Sequence, residues 1–171
     1  MPMIYAFLAE LGHEAATTRR LLERVPEDRL SWKPHEKSMT LSRLAGHVAE
    51  LPGWSRTILA DDEFHIDRES PHGYRAHRPE TVAELLQVHD DNVAAYRDAA
   101  EGVSDETLRG HWRMLKGGQV VLDMPRTVAL RSFLMNHLIH HRGQLSVYLR
   151  LLGVPLPSIY GPTADDPGPF G

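Results

Sequence analysis

Four long stretches of this chain place apolar side chains at the i, i+3, i+4, i+7 spacing of one helical face, a repetition that restricts the fold more than any other feature. The first runs from Met3 to Val25, with Ile4, Phe7, Leu8, Leu11, Ala15, Leu21, Leu22 and Val25 on one side, and Pro26 ends it. The second begins at Thr40 or Leu41 and turns Leu41, Leu44, Ala45, Val48, Leu51 and Ile58 inward; Pro52 lies within it and predicts a kink. The third follows Thr81 and Glu84, spaced as a capping box, and carries Val82, Leu85, Leu86, His89, Val93, Tyr96 and Ala100. The fourth is expected from Asp123 and Pro125, read as an N-cap and an early-turn proline, to Leu152, where Gly153 and Pro155 stop it.

The connections are longer than simple antiparallel neighbours need. Residues 26–40 read as a linker whose Trp32 plugs one end of the bundle, and residues 61–78, polar and without a period, read as a loop. Around Gly117-Gly118 the period shortens, which predicts a short hairpin or an extended crossover. The Pro/Gly-rich tail is expected to pack Ile159 and Tyr160 back on the helices. Together these features predict one all-α domain over residues 1–171: a four-helix bundle with a short extended crossover before the last helix. With 171 residues and 42% hydrophobic content, such a core needs no covalent staples.

Composition narrows the chemistry. A net charge of −4 without a basic stripe argues against nucleic acid as a partner. The N-terminus carries charges inside its apolar run and no basic lead-in, so it does not read as a signal peptide, and no stretch is long and apolar enough for a membrane span, so the cytoplasm is the expected location. The absence of cysteine removes disulfides, thiolate ligands and a cysteine nucleophile, leaving imidazole and carboxylate as metal ligands.

Eleven histidines are therefore the main chemical resource. On the last helix the inward stripe is Leu130, Leu134, His137, Leu138, His141, Leu145, Tyr148, Leu149 and Leu152, so two imidazoles one turn apart replace core residues. An unpartnered buried imidazole costs about 1–3 kcal/mol, so the pair requires a common partner. A divalent ion held by His137, His141 and, from the facing second helix, His47 is one solution; core histidines bonded to carbonyls, carboxylates or water are the other. Glu50, three residues after His47, is a candidate to orient that ring or to act as a catalytic base, with a solvated surface glutamate as the alternative. His140, at the stripe's margin, and His89, on the apolar face of the third helix, are candidates to support the site. His13, His35, His65, His72, His77 and His111 read as surface or loop residues.

The runs LSWKPHEKSMTLSRLAGHVAEL (Leu30 to Leu51) and NHLIHHRGQLSVYLRLLGVPLPSIYG (Asn136 to Gly161) resemble the DinB/YfiT-like superfamily. The segment Asn136-His137-x-x-His140-His141-Arg142-Gly143-Gln144-Leu145 is far more specific than H-x-x-x-H alone. The resemblance spans essentially the whole chain and implies an up-down-down-up bundle, often a homodimer. It implies nickel, zinc or iron held by His47, His137 and His141, with water in the open positions. Some members of that superfamily transfer or isomerise groups on low-molecular-weight thiols; others have no assigned reaction.

Two functional classes follow. A metal-dependent enzyme, acting as a thiol S-transferase or a hydrolase on a small molecule, would need cations such as Arg142 or Arg131 near its mouth to hold an anionic thiol, although Arg142 is equally placed to pair with a neighbouring helix. A non-catalytic metal-binding stress protein would instead use the ion to fasten two helices, with a closing fourth ligand such as His89 or Glu50.

Overall fold

The structure, a computed structural model, describes residues 1–67 and 74–168. Helix α1 (Ile4–Leu22) is followed by α2 (Leu41–Glu50), whose N-cap Thr40 accepts the Arg43 N–H through its hydroxyl. At Leu51–Trp54 the chain tightens into a 3₁₀ turn and then continues as α3 (Ser55–Ala60). The break falls at Pro52, which has no N–H to give the carbonyl of Val48. Nearby, Ser55 Oγ donates to the Pro52 carbonyl at 2.7 Å, and Asn92 Nδ2 reaches the Ala49 carbonyl at 3.4 Å.

Strand β1 (Glu63–His65) precedes α4 (Val82–Ala100), where the Thr81 hydroxyl accepts the Glu84 N–H as the capping pattern predicts. A short α5 (Asp105–Arg109) leads into β2 (His111–Lys116) and β3 (Gln119–Pro125). The last rod is composite: α6 (Arg126–Val128), a π-helical stretch (Ala129–Met135) and α7 (Asn136–Leu151) run on without leaving helical backbone angles.

The expectation of an all-α four-helix bundle is overturned by a three-stranded mixed sheet in the order β1-β2-β3. The extended segment before the last helix is a true hairpin: β2 pairs antiparallel with β3, and Lys116 faces Gln119 across a two-residue turn. Both turn residues, Gly117 and Gly118, have positive φ (57° and 74°), the geometry that matches the twist of paired strands. The third strand lies in the stretch read as a loop. β1 pairs parallel with β2, Phe64 opposite Met114, a contact between distant parts of the chain that a three-residue run cannot announce. Asp123 is likewise not a helix cap. It lies in β3, where it binds His111 Nδ1 at 2.6 Å.

Helix α2 packs on α4 and α7, and α1 on α4. Among the described residues the interior divides into two apolar clusters. One gathers Leu21 and Leu22 of α1, Leu41, Leu44 and Val48 of α2, Leu85 of α4, and Leu138, Leu145 and Leu149 of α7. The other gathers Leu11, Ile58, Tyr96, Leu108 and the fully buried Trp112 of β2 with Leu130 and Leu134 of the π-helical stretch. Trp54 packs against both, so the break after α2 lies where the clusters meet. Each fully buried leucine contributes about 1.5–3 kcal/mol, which gives both clusters weight in holding the rods together.

The tail returns to the helices as expected. Ile159 packs on the first cluster, and the Tyr160 hydroxyl donates to Glu14 at 2.9 Å. Trp32 meets Tyr148 edge-on at 5.7 Å near the end of α7. Among the described residues, no helix is long and apolar enough to cross a membrane.

Candidate metal centre

His47 projects from the middle of α2, and His137 and His141 from successive turns of α7. Residues remote in sequence are thereby brought into one group, in which a ring nitrogen of each histidine lies within 4.8 Å of the others. The ring centroids are 4.6 to 5.0 Å apart. His47 is buried, while His137 and His141 are half-buried, so the group has an inner wall and an accessible side.

Two of the far ring nitrogens are engaged: His47 Nδ1 lies 2.6 Å from Glu50 Oε1, and His141 Nδ1 lies 2.7 Å from Gln144 Oε1. An Nδ1–H given to an oxygen leaves an Nε2 lone pair available to a ligand-seeking ion. His47 Nε2 and His137 Nε2 face each other at 3.3 Å. Two lone pairs at that distance repel unless a proton or a cation lies between them.

Protonation is disfavoured. Burial, and then the neighbouring His141 and His47, push His137 down to about 4; burial also leads the downward shift of His141, with His47, His140 and Arg43 adding to it. A cation fits the geometry: tetrahedral donors at 2.0–2.1 Å from an ion stand roughly 3.3 Å from one another. The residues present therefore suit a divalent ion held by three neutral imidazoles.

Around the group lie residues that the sequence reading did not single out. Arg43, His47 and Glu50 share one face of α2, and Arg43 Nη2 contacts Glu50 Oε1 at 3.2 Å. Glu50 also accepts the Tyr74 hydroxyl and, through Oε2, the His77 backbone N–H at 3.0 Å. Burial pushes the Glu50 carboxyl up, but the bonds from His47, Tyr74 and His77 and the Arg43 charge outweigh it and hold the group below its ordinary value. Trp54 touches both His47 and His137, at 5.7 and 5.5 Å between centroids, and stacks on Phe133. The i, i+4, i+7 spacing of Arg43, His47 and Glu50 was a readable signal; Tyr74 offered none, because its segment has no period.

The other candidates lie elsewhere or at the margin. Glu50 sits beyond Nδ1 of His47, on the side away from the shared space, which suits it to orient the ring. His140 is exposed and stacks edge-on against His141 at 4.9 Å. His89 is buried at the α1–α4 seam with Nδ1 3.2 Å from Asp90, outside the three-histidine group. Of the two places open to Arg142, the structure has the ion pair with a neighbouring helix: it is only 1% exposed, its Nη1 is 2.6 Å from Glu14 Oε2, and it does not line a mouth. Arg131 is exposed and paired with Glu10. His13, His35 and His111 are exposed, while His65 and His77 are half-buried. His72 lies outside the described residues.

Fold and site together define a helical domain with a small mixed sheet and a three-histidine group able to hold one metal ion. The chain belongs to the DinB family, whose pattern it matches over residues 1–168. It is 29% identical over 169 residues to the uncharacterized protein YrdA of Bacillus subtilis (strain 168), covering 96% of this chain and 92% of that one. Among solved structures, it is similar to a DinB-like protein from Bacillus cereus ATCC 10987, with a TM-score of 0.69, 23% identity, and coverage of 90% of this chain and 95% of that one. It is also similar to the DinB-like protein YjoA of Bacillus subtilis, with a TM-score of 0.66, 19% identity, and coverage of 94% and 98%.

Proposed function

We propose that the protein is a metal-dependent enzyme that binds one zinc, nickel or iron ion through His47, His137 and His141 and acts on a small thiol cosubstrate. The observation that carries this reading is the convergence of three imidazoles, two of which, His47 and His141, have their far nitrogens held by side-chain acceptors. An ion bound by three neutral ligands keeps open positions and supplies Lewis acidity, lowering the pKa of a coordinated water or thiol towards about 7.

The chain's own residues divide the remaining work. Glu50 and Gln144 hold two of the rings in the ligating tautomer. Half-buried His137 and His141 leave the group accessible to a small molecule, while Trp54, stacked on Phe133, puts apolar surface against His47 and His137. Because the chain has no cysteine, any thiol chemistry draws its sulfur from a cosubstrate. Among the described residues neither His89 nor Glu50 joins the three histidines as a fourth ligand, which favours an open catalytic site over a closed structural one.

The test is conjugation of a chromogenic electrophile to glutathione or bacillithiol by protein reconstituted with each ion. Thiol-dependent acceleration in the wild type, absent from His141→Ala, is the expected outcome. Metal-loaded protein that accelerates no thiol reaction would refute the transferase reading.

A further inference from the structure

The residues that orient His47 also fasten a separate piece of chain to α2. Tyr74 to Pro79 crosses the helix at Gly46, where an added Cβ would lie 2.7 Å from both the His77 carbonyl oxygen and Pro79 Cδ. The same segment is bonded on either side of that crossing. The Ser42 hydroxyl donates to the Pro79 carbonyl at 2.7 Å, and the His77 N–H donates to Glu50 Oε2 at 3.0 Å. The Tyr74 hydroxyl donates to Glu50 Oε1 and accepts from Arg43, while its ring stands edge-on to Trp54 at 5.4 Å. Glu50 Oε1 thus meets His47 Nδ1, Tyr74 and Arg43 together, so the carboxylate serving the ligand is held partly by the crossing segment.

We infer that Tyr74 is a positioning residue for the metal centre, and that ion binding at His47 and seating of residues 74–79 on α2 strengthen each other. This rests on the metal reading above. An ion on Nε2 makes the Nδ1–H of the same ring a stronger donor, which tightens its bond to Glu50 and fixes the carboxylate for Tyr74 and the His77 amide. Linkage requires the reverse effect to be equal: unseating the segment loosens Glu50 and weakens the ion by the same factor.

Cobalt(II) serves as the probe, because its d–d absorption reports ligand geometry as well as occupancy. Tyr74→Phe keeps the ring against Trp54 and removes only the hydroxyl; Gly46→Ala lifts the segment from the opposite side. Both variants are expected to retain wild-type helix content, bind cobalt(II) about tenfold more weakly and show an altered d–d spectrum. In the wild type, cobalt(II) should slow deuterium exchange in the peptide containing His77, and in the variants this protection should shrink. Unchanged cobalt(II) affinity in Tyr74→Phe, or exchange at His77 that is indifferent to cobalt(II), would overturn the inference while leaving the metal site standing. A wild type that binds no cobalt(II) would overturn both.

Discussion

Glu50 reaches the centre only through the far nitrogen of His47, and that position fixes what its substitution should do. Glu50→Gln keeps an acceptor for Nδ1–H but removes the negative charge that also satisfies Arg43. The variant should fold and bind metal about ten- to a hundredfold more weakly in a chelator-competition titration; undiminished affinity would mean that the carboxylate does not support the ligand. His137 carries a pH signature. Its value falls from 6.5 when free to about 4 in the folded, metal-free protein, chiefly through burial. The unfolded chain therefore takes up the proton first as pH falls, so this contribution is fully present above about 6.5 and is lost as pH drops towards about 4. Metal-free wild type should lose melting temperature over that window, and His137→Gln should lose less. At this scale the sequence was informative where spacing encodes direction, as in the His137/His141 pair and the place of Glu50 three residues after His47. It was silent on Tyr74, which reaches the site through a long connection.

Each helix carries a long periodic signal and punctuation that acts locally, which is why α1, α2 and α4 lie close to where the apolar spacing puts them. The sheet depends on pairing between remote segments: β1 joins β2 only after α4 and α5 have intervened, and its three residues have no alternation to read. Arg142 shows the same limit in a side chain, since its burial depends on α1 supplying Glu14 across the α1–α7 contact. Breaking that pair by Arg142→Met leaves a buried carboxylate and should cost about 3–5 kcal/mol in urea unfolding, whereas pairing it with Glu14→Leu should recover most of the loss. Equal stability of the single and double variants would show that the pair is not energetically coupled.

Across the whole molecule, the three histidines tie α2 to α7 at the meeting point of two apolar clusters. Those clusters bury leucines from every long helix and do not depend on the ion, so chelation should lower the melting temperature while leaving the far-UV circular dichroism of the folded state unchanged at 25 °C. Collapse of helicity on chelation would instead assign the ion a folding role. The central claim is that the three imidazoles hold one ion, and elemental analysis of untagged protein purified without chelators, wild type beside His141→Ala, tests it most directly. About one equivalent of zinc, nickel or iron in the wild type and almost none in the variant is the expected result. Absence of metal from both, even after reconstitution, would contradict it.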